Sequence, residues 1–302
     1  MCAKIILSTD PGIDDAMAII FLSKLNVLEA IWTTMGNNTL EICTNNSVKI
    51  LELIGKQGIP IIKGAEMPIS NANHTIAGVH GKDGLGNTNR PLPSLSSFTW
   101  ESLEFIISNI KRFPNEISLV SIGPLTNLAN LFQKGPKHLY KKLKQVIIMG
   151  GAVTVPGNIT PYAEFNIFCD PQAAKIVFSS GMPITLIGLD VTHKAVMTKS
   201  HIQKLENKGT EILKFLAEIA TFYSKFHQGV GGCYLHDPLA AAAAIDPTLI
   251  TSSDLFIDVI IDDPKRVGQT IVVEEANFPK ISVALKFDQE KFLDMFITSL
   301  LQ

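Results

Sequence analysis

Short apolar runs alternate with segments of helical spacing along most of the chain, and this alternation constrains the fold more strongly than any other feature. The runs that predict buried strands cover residues 5–7, 27–34, 59–63, 117–122, 146–149 and 184–189. Segments with helical spacing lie between them, at 45–55, 99–113, 172–180 and 210–227. Strands that alternate with helices imply right-handed crossovers and a mainly parallel sheet. The sequence therefore predicts the α/β class, with a Rossmann-like central sheet flanked by helices.

The C-terminal part and the composition favour one large domain. Further strand-like runs lie near 255–261, 268–273 and 281–287, and a final amphipathic helix is predicted over 292–301. Of the 302 residues, 46% are apolar and 18% are charged, which predicts a large buried core and argues against disorder. The length would also accommodate two domains. Because we find no internal repeat and no linker, we interpret residues 1–302 as a single domain.

Charge, hydropathy and cysteine content exclude several classes of function. The net charge of −2 gives no basis for binding nucleic acid or an anionic membrane surface. No apolar stretch approaches the roughly 20 residues needed to cross a bilayer, and the N-terminus lacks the pattern of a signal peptide. The cysteines, Cys2, Cys43, Cys169 and Cys233, form no CxxC pair. We therefore expect free thiols in a reducing cytoplasm rather than a zinc site.

Three aspartates follow the first predicted strand. Asp10, Asp14 and Asp15 surround a Pro-Gly turn at 11–12, just before an apolar run that predicts a helix. In open parallel sheets, ligands bind at the carboxyl ends of the strands. Carboxylates this close together repel one another unless a hard cation such as Ca²⁺ or Mg²⁺ binds between them. The alternative is that Asp10 starts the turn while the other two are stabilised by the positive end of the helix.

Further polar groups follow other predicted strands. Asn37 lies in a Gly-Asn turn after the second strand, and Asn158, Glu164 and Asn166 lie in a polar segment after the strand at 146–149. Amide and carboxylate groups together can bind vicinal hydroxyls, as in a ribose ring, because the amide donates and accepts while the carboxylate accepts. The alternative is that these groups satisfy the local backbone. Since the carboxyl ends of parallel strands share one edge, we expect all four residues near the aspartates.

Two histidines lie in or next to glycine-rich segments, which are more typical of a functional site than of a packed core. His80 stands among glycines within residues 64–97, a long irregular segment that is either functional or an exposed flexible loop. His236 and Asp237 follow the glycine-rich stretch 229–232 and precede an apolar run. A neighbouring His and Asp can supply a titratable acid and a metal-binding carboxylate from one loop. The alternative for this pair is an ordinary Asp-Pro helix start.

The segment 8–16, STDPGIDDA, closely resembles the DTDPGxDDA signature of nucleoside hydrolases of the inosine-uridine-preferring type. The segments GPLTN at 123–127, EFN at 164–166 and HDP at 236–238 follow in that family's order, and the resemblance covers essentially the whole chain. Members of that family cleave the N-glycosidic bond of nucleosides with a bound calcium ion. The resemblance therefore implies the nucleoside hydrolase fold and a calcium-dependent enzyme of nucleoside salvage, which releases ribose and free base from ribonucleosides.

The resemblance also implies roles for individual residues. The calcium ligands that it implies are Asp10, Asp15, Asp237 and the main-chain carbonyl of Ile122. It assigns Asp10 to the activation of the attacking water and His236 to the protonation of the departing base. The substrate-binding residues that it implies are Asp14, Asn37, His80, Asn158, Glu164, Asn166 and Asp237. A helical region at about 200–235 is similar to the flap that covers the base.

One residue departs from the family pattern, because Ser8 stands where the family usually has Asp. Ser8 is not among the implied calcium ligands, so we expect an active enzyme in which only the ordering of the site is weakened. The same residue argues against a metal-dependent phosphohydrolase, whose DxDx[TV] signature needs a carboxylate at position 8. A non-catalytic nucleoside- or ribose-binding protein is the other alternative, and the presence of Asp10 and His236 argues against it.

The base, the assembly and the cellular location follow less directly from the sequence. Purine, pyrimidine or both remain open as the preferred base, because the residues expected near it lie in 223–234, where the family pattern aligns only with gaps. The resemblance implies a homodimer or homotetramer. The composition predicts a cytoplasmic protein without nucleic-acid or membrane partners.

Overall fold

The computed structural model describes residues 3–70, 78–275 and 277–302, so Cys2 and residues 71–77 of the irregular segment 64–97 lie outside the described residues. Within these ranges the strands are β1 (Lys4–Thr9), β2 (Leu28–Thr33), β3 (Ile61–Lys63), β4 (Trp100–Glu101), β5 (Ile117–Ser121), β6 (Gln145–Met149), β7 (Ile184–Ile187), β8 (Val196–Thr198), β9 (Gly232–Tyr234), β10 (Ile250–Val259), β11 (Thr270–Val273) and β12 (Ile281–Phe287). Single 3₁₀ turns lie at Leu95–Ser97, Leu139–Lys142 and Pro247–Leu249.

The helices complete the alternation that the sequence predicts. They are α1 (Ile13–Lys24), α2 (Leu40–Leu53), α3 (Leu103–Arg112), α4 (Thr126–Lys134), α5 (Phe165–Cys169), α6 (Pro171–Phe178), α7 (Leu189–Thr192), α8 (Lys199–Lys208), α9 (Glu211–Ser224), α10 (His236–Ile245) and α11 (Gln289–Leu301). None of the helices in the described part of the chain has the length and apolar character needed to cross a membrane.

Ten of the described strands form one sheet, in the order β11-β10-β12-β7-β6-β5-β1-β2-β3-β4. The strands from β12 to β4 pair in parallel, whereas β10 runs antiparallel to both β12 and β11. The prediction of a single α/β domain with a mainly parallel sheet is therefore confirmed. After β1 the chain builds outward through β2, β3 and β4, then returns to the other side of β1 as β5. This reversal creates a crevice at the carboxyl ends of β1 and β5, where open parallel sheets bind ligands.

The sheet is covered on both faces, and β1 shows why. Its side chains alternate in direction, so Ile5 and Leu7 pack on one face while Ile6 packs on the other. Helices α1, α2, α9, α10 and α11 cover the first face, and α3, α4 and α6 cover the second. Helix α10 carries five alanines, residues 240–244, that are at most 1% exposed. Such small side chains let α10 lie close to its neighbours, which places the start of this helix beside the crevice.

Several boundaries differ from the sequence-based expectation for local reasons. Helix α2 begins at Leu40 rather than near residue 45, because Thr39 caps it by accepting a hydrogen bond from the Ile42 amide. The helix expected from residue 99 begins only at Leu103, since Trp100 and the following residue pair with β3. The irregular segment 157–170 contains the short helix α5. The helix expected over 172–180 begins at Pro171, because the Asp170 carboxylate caps it by accepting a hydrogen bond from the Ala173 amide.

Candidate active site

A cavity of about 320 Å³ opens at the carboxyl ends of the central strands. Nine of the eleven site residues predicted from the sequence line it: Asp14, Asn37, His80, Ile122, Asn158, Glu164, Asn166, His236 and Asp237. The other two, Asp10 and Asp15, are fully buried. The expectation that the polar groups after β1, β2, β5 and β6 meet at one edge therefore agrees with the structure.

Three carboxylates form a buried cluster at this edge. Asp14, Asp15 and Asp237 each offer an oxygen atom, and these atoms lie within 4.8 Å of one another. Burial, and then the charge of Asp15, raise the pKa of Asp14 well above its usual value. Burial and the charges of Asp14 and Asp15 do the same to the pKa of Asp237. Because this donor set consists of oxygens that repel one another when ionised, it fits a hard divalent cation.

Asp10 lies beside this cluster rather than within it. Its Oδ2 accepts a hydrogen bond from the main-chain amide of Asn37 at 2.6 Å, whereas its buried Oδ1 has no partner among the described residues. Burial, followed by the charge of Asp15, raises the pKa of Asp10 well above its usual value. A buried carboxylate oxygen without a partner is costly, so it indicates a place for a cation or a water molecule.

Asp15 owes its position to the turn that precedes α1. Its Oδ1 accepts from the Thr9 hydroxyl at 2.5 Å, and its Oδ2 accepts from the Gly12 amide at 3.0 Å and from Asn37 Nδ2 at 3.1 Å. Asn37 Nδ2 also donates to the main-chain carbonyl of Asp10 at 3.2 Å. Asn37 thus lines the cavity and ties β2 to the aspartates that follow β1.

His80 packs against the start of α1 as a neutral imidazole. Its Nδ1 accepts a hydrogen bond from the Ile13 amide at 3.0 Å, so the ring proton is on Nε2. Burial lowers the pKa of His80 to about 3. The 4.0 Å separation between His80 Nδ1 and Asp14 Oδ1 is therefore a close approach rather than an ion pair. The His80 ring packs on Tyr223 with the ring centroids 5.2 Å apart, and burial, followed by the charge of Asp14, raises the pKa of the Tyr223 hydroxyl well above its usual value.

The residues expected to bind the sugar are held by the backbone. The Glu164 carboxylate accepts from the amides of Asn166, Gly151 and Ile167 at 2.9–3.1 Å, and so caps α5. Asn166 Nδ2 donates to the carbonyls of Ile122 and Met149, at 3.0 and 3.2 Å. The alternative stated from the sequence, that these groups satisfy the local backbone, agrees with these contacts, and the same residues also line the cavity. The carbonyl of Ile122 keeps a second lone pair for another partner.

The side chain of Asn158 is also held by a main-chain group. Its side-chain Oδ1 accepts a hydrogen bond from the Phe165 amide at 3.0 Å. This hydrogen bond closes the segment between Asn158 and Phe165 into a loop. A wall built in this manner presents its polar atoms in fixed positions, which suits a ligand with several hydroxyls.

Aromatic and imidazole rings that contact one another line another part of the cavity. His236 is buried there, and its Nδ1 lies 2.8 Å from the Thr192 hydroxyl. Burial, and then neighbouring histidines, lower the pKa of His236 well below its usual value. The rings of His193, His227 and Tyr234 lie with their centroids 5.7, 6.5 and 5.3 Å from the centroid of His236. This part of the cavity is suited to a flat, partly polar ring.

Thr192 and His193 were missed by the sequence analysis. They lie at the end of α7, directly after β7, so the same strand-end argument that found the other residues applies to them. Ser8, by contrast, lies away from the cavity lining. Its hydroxyl accepts a hydrogen bond from Asn127 Nδ2 at 3.1 Å, and Asn127 in turn accepts from the Ala65 amide.

The fold and the site define an α/β protein with a polar cavity beside buried carboxylates at the edge of a parallel sheet. The family described as inosine-uridine preferring nucleoside hydrolase matches residues 5–294, and the chain belongs to this family. It is therefore an N-glycosyl hydrolase. The resemblance stated from the sequence is confirmed.

Relatives of known name share almost the whole chain. The pyrimidine-specific ribonucleoside hydrolase RihA of Shewanella sp. (strain MR-4) is 36% identical over 99% of this chain and 96% of its own length. The probable uridine nucleosidase 1 of Oryza sativa subsp. japonica is 35% identical over 82% of this chain and 78% of its own.

Solved structures share the same architecture. The plant nucleoside hydrolase PpNRh1 superposes with a TM-score of 0.92 at 33% identity, over 99% of both chains. The purine-preferring ribonucleoside hydrolase from Gardnerella vaginalis also has a TM-score of 0.92 and 33% identity, over 99% of this chain and 98% of that one. These relatives differ in the base that their names specify, although their fold is shared.

Proposed function

We propose that this protein hydrolyses the N-glycosidic bond of ribonucleosides in a calcium-dependent reaction that releases ribose and free base. One observation carries the proposal: buried carboxylates lie at the floor of a cavity whose two ends differ in chemistry. One end has amide and carboxylate groups fixed by the backbone, and the other has neutral imidazoles and aromatic rings. A ribose ring fits the first end and a nucleobase fits the second.

The carboxylates support a calcium site at the floor. The residues that would hold the ion are Asp10, Asp15, Asp237 and the Ile122 carbonyl, as the family resemblance implies, with Asp14 contributing an oxygen to the same cluster. A bound calcium ion supplies positive charge that neutralises these carboxylates and lowers the pKa of a water molecule. The unpartnered Oδ1 of Asp10 supports this assignment, because the described residues offer it no other hydrogen bond.

Asp10 is the proposed general base. The main-chain amide of Asn37 holds its Oδ2, which fixes the carboxylate beside the proposed calcium site, where it is proposed to accept a proton from the attacking water. Asp14 lines the cavity beside it and is proposed to accept a hydrogen bond from a ribose hydroxyl.

The remaining residues act on the two halves of the substrate. As the bond from carbon to nitrogen breaks, the ribosyl group gains positive charge, as in glycoside hydrolysis generally. Glu164 and Asn166 line the cavity at fixed positions, where they are proposed to hold the sugar and stabilise that charge. His236 is proposed to donate to the departing base, with His80 nearby at the same end.

We propose that pyrimidine ribonucleosides are the preferred substrates. The names of two similar relatives, the RihA of Shewanella and the uridine nucleosidase of rice, support this choice at 36% and 35% identity. The purine-preferring structural relative from Gardnerella vaginalis makes inosine the necessary comparison. The flap at about 200–235, which includes α9 and the lining residues Tyr223, Phe226, His227 and Tyr234, is proposed to contact the base.

The assembly, location and metabolic role are also proposals. The family resemblance supports a homodimer or homotetramer, and the composition supports a cytoplasmic enzyme of nucleoside salvage. Size-exclusion chromatography with light scattering tests the first of these directly.

The test is the release of reducing sugar from uridine, cytidine, inosine, adenosine and guanosine, with calcium present and after chelation. We expect ribose release that chelation reduces, with uridine and cytidine ahead of the purine nucleosides. Calcium-dependent nucleoside binding without any ribose release would instead establish a binding protein. Equal rates before and after complete chelation would contradict the calcium dependence.

A further inference from the structure

The hydroxyl of Thr192 faces the imidazole of His236 in a buried part of the wall behind the base. We propose that Thr192 is a positioning residue that fixes the orientation and the tautomer of His236, so that Nε2–H is the donor to the departing base. The proposal rests on the proposed function. Thr192 Oγ1 lies 2.8 Å from His236 Nδ1, and the two residues are 0% and 7% exposed.

The tautomer follows from the proton of the hydroxyl group. Among the described residues, His236 Nδ1 is the hydrogen-bond partner of the Thr192 hydroxyl. A buried hydroxyl proton left without an acceptor costs about 1–3 kcal/mol. The hydroxyl therefore donates to Nδ1, and a neutral imidazole with an accepting Nδ1 carries its proton on Nε2. The described residues give Nε2 no hydrogen-bond partner, which leaves it for a ligand in the cavity.

The position of Thr192 is fixed by the docking of α7. The Asp190 carboxylate accepts from the amides of Val153 and Thr154, at 3.0 and 2.7 Å, and from the Thr154 hydroxyl at 2.6 Å. The Leu189 amide donates to the Gly151 carbonyl at 2.9 Å. Helix α7 is thus attached to the segment that follows β6, which continues toward the sugar-binding residues. Helix α7 therefore links the segment that continues toward the proposed sugar-binding residues to His236, the residue that is proposed to act on the base.

The chemical consequence is a hydrogen bond to the leaving group. When the bond from C1′ to the base nitrogen breaks, its electron pair stays with the base. The neutral His236 donates a hydrogen bond from Nε2 to that negative charge and keeps its proton, and the base takes up a proton from water afterwards. A donor that is already oriented stabilises this charge without reorganisation. With the opposite tautomer, an unprotonated Nε2 would face the developing negative charge and repel it.

The proposal predicts an effect that depends on the leaving group. Thr192→Val keeps the side-chain volume but removes the hydroxyl, and Thr192→Ser keeps the hydroxyl. We expect T192V to lower kcat for uridine by about 10- to 100-fold, which corresponds to one lost hydrogen bond, and T192S to restore most of it. With p-nitrophenyl β-D-ribofuranoside, whose leaving group is stable as an anion, we expect T192V to stay within about twofold of the wild-type kcat.

Two further measurements separate the positioning role from a structural one. Thr44→Val is a matched control, because Thr44 is another buried threonine whose hydroxyl is hydrogen-bonded, to the Leu40 carbonyl, outside the cavity. It should leave kcat on both substrates within about twofold of wild type. Nitrogen-15 NMR of the calcium-loaded protein reports the tautomer of His236 directly. We expect protonation at Nε2 in the wild type and a mixture of tautomers in T192V.

The outcomes distinguish this proposal from the proposed function. An equal loss on uridine and on the nitrophenyl riboside in T192V, or a wild-type His236 protonated at Nδ1, would overturn the role of Thr192 while leaving ribonucleoside hydrolysis intact. Unchanged uridine hydrolysis in T192V would overturn it as well. A wild-type protein that cleaves neither substrate would refute the proposed function itself, and the proposed role of Thr192 would be refuted as well.

Discussion

Replacing Gly123 with alanine tests whether Asp10 must keep its present position. An added Cβ at Gly123 would lie 2.4 Å from Asp10 Oδ1 and 2.9 Å from its Cγ. The other carboxylate oxygen, Oδ2, is held by the main-chain amide of Asn37 at 2.6 Å, so a rotation of the carboxylate away from the new methyl group would break this hydrogen bond. Carbon contacts are normally about 3.5–4.0 Å, so either the carboxylate or the end of β5 must move by roughly 1 Å.

A shift of this size is expected to affect both catalysis and stability. We expect G123A to lower kcat for uridine by about 100-fold, because misplacing a catalytic group by about 1 Å has effects of that order. Overpacking should also lower the free energy of unfolding by about 1–3 kcal/mol, measured by chemical denaturation.

Gly58→Ala is the matched control for this substitution. An added Cβ at Gly58 meets nothing within 4 Å, and its backbone is not left-handed. We expect G58A to keep wild-type activity and to change the free energy of unfolding by no more than about 1 kcal/mol. A G123A protein with kcat within about threefold of wild type and unchanged stability would refute the reasoning.

Three further predictions concern the base, the metal and the sugar. Asp10→Asn should lower kcat by about 10²- to 10⁴-fold with little change in melting temperature, and an active D10N protein would contradict the assignment of the general base. Calcium should raise the melting temperature more at about pH 8 than at about pH 5.5. Burial raises the pKa of Asp14 and Asp237, so the metal-free folded protein binds more protons than the unfolded chain and loses stability as the pH rises through those values, a loss that calcium offsets. A calcium effect that shrinks as the pH rises would contradict this sign. Uridine should exceed 2′-deoxyuridine in kcat/KM by at least about 100-fold, and equal values would exclude recognition of the 2′-hydroxyl.

The position of the site could be predicted from the sequence because one rule links local pattern to three-dimensional placement. Polar groups that follow apolar runs lie at strand ends, and the ends of parallel strands share an edge. The rule brought together residues as distant in the chain as Asn37 and Asn166, which lie on the same cavity. The structure adds that β1, β2, β5 and β6 are immediate neighbours in the sheet, which the sequence alone does not specify.

The contacts within the site could not be predicted, because they depend on pairings between distant segments. Nothing in the local sequence indicates that His80 accepts from the Ile13 amide, or that Thr192 faces His236. The strand expected over 184–189 ends two residues earlier, at Ile187. That small difference concealed α7 and the residues that it brings to the cavity. The two-residue strand β4 was missed because both of its side chains are exposed and show no alternation.

The two ends of the cavity are built by different kinds of contact, and this difference bears on how the family can vary. Where amide and carboxylate groups line the cavity, Glu164, Asn158 and Asn166 each have a main-chain group as a partner, so their positions follow from the backbone. Where imidazole and aromatic rings line the cavity, the contacts are between side chains, as in the hydrogen bond between Thr192 and His236 and the packing of rings. A side-chain contact can change by substitution without moving a strand, whereas a backbone-held group cannot easily be moved. Relatives whose names specify different bases can therefore belong to one family, and the purine-preferring structure shares the fold of this chain at a TM-score of 0.92.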